Sequence, residues 1–135
     1  MSVLFVTGTG TEVGKTWFAT RVITALRAGG TAVVARKPAQ SFEPDTGPTD
    51  ADLLGAASGE DPRTVCPAHR WYEVPMAPPM AAAVLGRPAI TVADLVREFV
   101  EGAGKDVTVA QSAKLYLFLG DFEQYIVGLL EKAQG

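Results

Sequence analysis

From Val3 to Val6 the chain is short, continuous and apolar, rich in β-preferring residues, and it stops at Thr7-Gly8. That is the pattern of a buried strand closed by a turn. Beyond the turn, Ala19, Val22, Ile23 and Leu26 recur at helical spacing ahead of Gly29-Gly30, which predicts a helix from about Gly14 to Ala28. Thr31 to Ala35 is strand-like again and closes at Arg36-Lys37-Pro38, where proline removes a ladder donor. Strand, helix and strand in this order predict a right-handed parallel crossover. The first strand is expected at the centre of the sheet.

The remainder alternates between breakers and helical patterns. Ser41 to Pro48 is rich in Pro, Gly, Asp and Thr, a mobile loop ahead of a helix near Ala51 to Ala57 that stops at Gly59. Pro75, Pro78 and Pro79 interrupt the middle, and Met80 to Leu85 reads as a short helix closed by Gly86. Thr91 with Asp94 three residues on forms a capping box. Val92, Leu95, Val96, Phe99 and Val100 then mark one apolar face of a helix. Leu115 to Leu119 reads as either a buried strand or a helix segment. Asp121 with Gln124 caps a last helix that turns Phe122, Ile126, Leu129 and Leu130 inward. No internal repeat is visible.

The segment Gly8-Thr9-Gly10-Thr11-Glu12-Val13-Gly14-Lys15-Thr16 joins the first strand to the first helix, where a phosphate-binding loop belongs. Glycines let backbone N–H groups turn inward to form an anion nest, and a helix N-terminus adds roughly half a positive charge at the same spot. Lys15 would reach the β- and γ-phosphates, and the Thr16 hydroxyl would complete an oxygen shell around magnesium. Five residues separate Gly8 from Gly14, one more than the common spacing. The bland alternative is a glycine-rich turn with a solvated lysine.

Composition narrows the function classes. Twelve Lys+Arg against 15 Asp+Glu give a formal charge of −3, and the calculated pI is near 5.1, which leaves no electrostatic footprint for a nucleic-acid backbone. With 47% hydrophobic and 20% charged residues in 135, one globular α/β domain spanning 1–135 is expected. Apolar runs are too short for a membrane span. A single cysteine, Cys66, and the absence of a secretion-signal pattern point to a cytoplasmic setting. Cys66 and the only histidine, His69, lie three apart in a Pro-flanked stretch, read as an ordinary loop in preference to a cysteine–histidine dyad.

The loop as a whole resembles that of the dethiobiotin synthetase family, whose Gly-Thr-x-Thr-x-Val-Gly-Lys-Thr form carries the same extra residue. Lys37-Pro38-Ala39-Gln40-Ser41 resembles the family's Lys-Pro-x-x-Ser/Thr segment, Asp50 matches its magnesium and nucleotide aspartate, and Pro75 to Ala82 resembles its Pro-x-x-Pro-x-x-Ala-Ala segment. These stations cover residues 1 to about 96. Val100-Glu101-Gly102-Ala103-Gly104-Lys105 nearly repeats the family's Val-Glu-Gly-Ala-Gly-Gly, which closes an internal strand and whose glutamate helps to hold magnesium. Here the preceding spacing is helical, so Glu101 is either that ligand or the last turn of a helix stopped by Gly102. Phe42 replaces the glycine usual after Ser41, and Trp17 stands where the family often has a smaller residue. Residues 1–104 are family-like, and 105–135 are unassigned.

The resemblance implies a P-loop NTPase-like open parallel sheet with flanking helices, truncated relative to the family. It implies an ATP- and Mg2+-dependent ligase that joins CO2 to diaminopelargonate. Lys37 and Lys15 would be catalytic. Glu12, Val13, Gly14, Lys15, Thr16, Trp17, Asp50 and Glu101 would contact nucleotide, Thr11 and Ser41 substrate, and Thr16, Asp50 and Glu101 the metal. The family is homodimeric, and an open sheet with an exposed edge and an uncovered apolar face would suit a partner subunit. Three rivals remain open: a non-catalytic nucleotide-binding remnant, a related amide-forming ligase, and a nucleotide-switched partitioning ATPase. The last normally carries a signature lysine early in the loop, where this chain has Gly10.

Overall fold

The computed structural model describes residues 2–7, 14–104 and 106–111. Along these the order is β1 (Ser2–Val6), α1 (Lys15–Ala28), β2 (Val33–Arg36), β3 (Gln40–Ser41), α2 (Asp50–Ser58), α3 (Pro62–Val65), a 3-10 turn at Ala68–Arg70, β4 (Trp71–Tyr72), α4 (Pro78–Val84), α5 (Val92–Gly102) and β5 (Val107–Gln111). The expected loop residues Thr11, Glu12 and Val13, together with Lys105, lie outside the described residues. So do the expected element at 115–119 and the helix begun by Asp121.

The principal sheet is parallel, with the order β1-β5-β2. This corrects the expectation that β1 is central: among the described residues β1 is an edge, and β5 fills the middle. Val109 and Ala110 of β5 are essentially inaccessible to solvent, as a strand covered on both faces requires. Their side chains alternate. Val109 joins Ala19 and Ile23 of α1 and Ala51 and Leu54 of α2 in one apolar cluster, while Ala110 joins Ala81 and Ala82 of α4 and Leu95, Val96 and Phe99 of α5 in the other. Helices therefore lie on both faces, the P-loop NTPase-like α/β arrangement, while β1 at the edge has only Val6 buried and leaves Leu4 38% exposed. Val100, assigned to the apolar stripe, is 54% exposed, because α5 turns that position away from the sheet.

Local chemistry explains the joints. Gly14 caps α1 at φ 84°, a left-handed conformation that glycine adopts without the Cβ penalty of other residues. Gly104 precedes β5 where a Cβ would come within 2.6 Å of Val34 Cγ2. Such a contact forces a shift, so a bare backbone is needed there for β5 to enter beside β2. The outer edge of β2 is closed by its neighbours: Ala35 N donates to Glu60 Oε1 at 2.7 Å, and Lys37 N donates to the Val65 carbonyl at 2.9 Å. Two-residue strands β3 and β4 form a separate parallel pair. α2 starts in a full capping box between Thr49 and Asp52, and at the head of α5 Asp94 N donates to Thr91 Oγ1 at 3.1 Å.

Candidate active site

Parallel register brings the carboxyl ends of the strands level, with Val6 opposite Gln111 and Arg36 opposite Ala110. In open α/β sheets this edge is the ligand-binding edge. Four elements deliver side chains to it. α1 brings Thr16 in its first turn, the residue after β2 is Lys37, and β5 ends at Gln111. α2 supplies the fourth side chain, Asp50, its first residue.

These four are linked. Thr16 Oγ1 donates to Asp50 Oδ1 at 2.8 Å, Lys37 Nζ lies 3.3 Å from Asp50 Oδ2, and Gln111 Nε2 donates to Thr16 Oγ1 at 2.9 Å and stands 3.5 Å from Asp50 Oδ2. Lys37 is only 5% exposed, so it is not a solvated surface lysine. A buried ammonium is costly without a counter-charge, and Asp50 provides one while keeping 42% of its own side chain open. The start of α2 is itself anchored from the buried Gln40, whose Oε1 accepts from Ala51 N at 3.0 Å and whose Nε2 donates to Thr49 Oγ1 at 3.2 Å. Gln40 thus holds Asp50 in place from behind.

Other expected site residues are placed differently. Lys15 opens α1, partly buried, beside Gly14. Trp17 is 65% exposed, with the Arg21 guanidinium 5.4 Å above its ring. Ser41 ends β3 and is partly buried. Glu101 is exposed in the last turn of α5 and is not brought to Thr16 and Asp50. The helical alternative describes its position, because the periodicity that begins at Val92 runs on through Gly102. The internal strand comes afterwards and ends at Gln111, a residue the sequence reading passed over. The signal was the short run Val107 to Ala110, which follows a helix and a turn as a further strand of an alternating α/β chain would.

The Cys66–His69 pair forms no dyad. Cys66 is buried, and its thiol is pushed up to about 12 by burial, against the pull of Lys37; His69 Nε2 instead pairs with Glu98 Oε1 at 2.7 Å.

The oxygen donors at the sheet edge suit a hard divalent cation. The Thr16 hydroxyl and the Asp50 carboxylate lie side by side, and the Gln111 carboxamide meets them through Nε2 while its buried Oε1 has no hydrogen-bond partner among the described residues. One carboxylate plus a hydroxyl is a common protein contribution to Mg2+, whose remaining positions go to phosphate and water. No group of three or more His, Cys, Asp or Glu converges among the described residues, and none of their helices is long and apolar enough to cross a membrane.

Comparison with known proteins gives a consistent set of relatives. The chain is 43% identical over 104 residues to the ATP-dependent dethiobiotin synthetase of Methylobacterium nodulans, covering 71% of this chain and 46% of that protein. It is 40% identical over 114 residues to the enzyme of that name from Caulobacter vibrioides, covering 82% and 51%. With the Corynebacterium efficiens protein, also an ATP-dependent dethiobiotin synthetase, it shares 39% identity over 115 residues, covering 77% and 50%. The chain spans about half the length of these curated relatives. No family model matches.

Proposed function

We propose, since the chain belongs to the ATP-dependent dethiobiotin synthetase family, that its sheet edge is an ATP site and serves the family's ring-closing ligation of diaminopelargonate with CO2. The observation that carries this reading is the convergence of Thr16, Lys37 and Asp50 from three separate elements at the head of α1. Backbone N–H groups at a helix start favour anions, and a buried ammonium beside them adds charge that cannot be screened away.

In this reading one amine of the substrate captures CO2 as a carbamate and releases a proton. A carbamate oxygen then attacks the γ-phosphorus, the bond to the bridging oxygen breaks, and ADP leaves. The second amine attacks the carbamoyl carbon of the resulting mixed anhydride, and inorganic phosphate departs as the cyclic urea closes. Lys15 and Lys37 stabilise the negative charge on the transferred phosphoryl group, and such preorganised contacts are typically worth about 3 to 4 kcal/mol. Asp50 orients Lys37, and Thr16 orients Asp50. Mg2+, held by Thr16 and Asp50, would supply charge neutralisation at the phosphate oxygens. Thr11 and Ser41 fall to the substrate side, and Glu12, Val13 and Gly14 to the phosphate cradle. A homodimer and a cytoplasmic setting belong to the same proposal.

The exposed position of Glu101 in the last turn of α5 favours one second reading, a chain that binds nucleotide without turnover. The two are separated by titrating the protein with ATP and Mg2+ and then adding diaminopelargonate and bicarbonate. ADP release that depends on the diamine is the expected result. Nucleotide binding with no diamine-dependent ADP would leave only the second reading.

A further inference from the structure

Gln111 is 1% exposed, and the two ends of its carboxamide are in different situations. Nε2 donates to Thr16 Oγ1 and faces Asp50 Oδ2, whereas Oε1 is buried with no hydrogen-bond partner among the described residues. Buried polar atoms in folded proteins are almost always satisfied, and exceptions call for an explanation. Of the four linked side chains, Lys37 is positive, Asp50 negative, and Thr16 and Gln111 neutral, so their formal charges cancel. Four such side chains have by themselves little intrinsic hold on a dication.

Resting on the nucleotide-site reading above, we propose that Gln111 is a reserve neutral ligand that makes divalent-cation binding conditional on a polyphosphate. Without a cation, its N–H occupies the lone pairs of Thr16 and Asp50 that a cation would use. With a cation seated there, a half-turn about the Cγ–Cδ bond exchanges Nε2 for Oε1. The two atoms are nearly the same size, so the exchange needs no repacking of β5. Oε1 then has the cation as its partner, and Nε2 gives up Thr16 and Asp50 for the buried position that Oε1 leaves. The cation gains a ligand without gaining charge, so the phosphates of the nucleotide must supply the rest. An acidic side chain at this position would let the protein hold the ion alone.

The test uses Mn2+ as the probe, followed by electron paramagnetic resonance of the free ion, with the full chain and its Gln111→Glu, Gln111→Leu and Gln111→Met variants. Circular dichroism checks that each is folded, and Gln111→Met stands in for Gln111→Leu if that variant misfolds. Without nucleotide, Gln111→Glu is expected to bind Mn2+ at least about tenfold more tightly than the unaltered chain, through its added charge. With a non-hydrolysable ATP analogue present, the apolar variants are expected to hold Mn2+ several-fold more weakly. Equal nucleotide-free Mn2+ affinity in the unaltered chain and Gln111→Glu would overturn the proposal. So would undiminished Mn2+ binding by a folded apolar variant in the nucleotide complex. If the unaltered chain binds no nucleotide at all, the ATP-site reading fails, and the nucleotide-free comparison still decides the role of Gln111.

Discussion

Two clusters of charged side chains sit in this molecule, and they are built to different ends. In the first, Glu98 accepts from Arg70 Nε and Nη2 at 2.9 Å each and pairs with His69 at 2.7 Å. Both carboxylate oxygens are engaged, and Arg70 is buried. In the second, Lys37 meets Asp50, yet Asp50 stays 42% open and the neighbouring Gln111 keeps a buried oxygen without a partner among the described residues. The Arg70–Glu98 cluster satisfies itself and joins the 3-10 turn to α5. The Lys37–Asp50 cluster is left with unused donor capacity at the edge where strands end. Charge by itself therefore does not distinguish the two clusters; oxygen atoms left open at a strand end do.

If that contrast is right, the two clusters respond to damage in different observables. The largest effect is expected at Lys37. In the diamine-dependent ADP assay, Lys37→Ala should lower turnover by about 10^2- to 10^3-fold, equivalent to about 3 to 4 kcal/mol of lost transition-state stabilisation, while nucleotide affinity changes far less. Unchanged turnover would move Lys37 into the same class as Arg70. The converse substitution, Arg70→Met, should leave nucleotide affinity as it is and lower stability by about 2 kcal/mol. That is less than a fully buried pair would lose, because Glu98 keeps some access to water. Urea unfolding read alongside nucleotide titration checks both halves of this expectation.

The same contrast explains what could be read from the chain alone. α1, α2 and α5 were legible because periodic apolar residues and capping groups such as Thr91 act locally. Thr16, Lys37 and Asp50 were legible because their residue types stand at breaks between elements, where an open α/β fold exposes chemistry. The order of strands was not. β1 and β2 are successive strands, but β5 inserts between them from more than 70 positions further along, and nothing local in β1 records that. The pairs β3 and β4 are too short to carry any period. Gln111 was missed for a related reason: a neutral amide has no distinctive chemistry until the strand that carries it is seen to end beside Thr16. Meanwhile Glu101 drew the assignment because a matching pentapeptide, Val100 to Gly104, is visible in sequence, whereas the helix holding it away from the site is set by packing of Leu95, Val96 and Phe99 against the sheet.

The smallest expected effect lies in acid and separates the clusters without removing either. Burial pushes the Glu98 carboxyl up, but hydrogen bonds from Arg70 and His69 outweigh it and leave the group below its usual range. The folded state therefore holds this proton less readily than the unfolded chain. Stability from the Arg70–Glu98 cluster is complete above the ordinary carboxyl value of 4.5 and is lost as pH falls from there through the lowered folded value. Glu98→Gln abolishes that proton equilibrium. The difference in unfolding free energy between the unaltered chain and Glu98→Gln should thus be constant near neutrality and shrink below about pH 4. A difference that persisted at about pH 3 would mean that Glu98 acts by packing alone, and the self-satisfied cluster would then owe its stability to shape instead of charge.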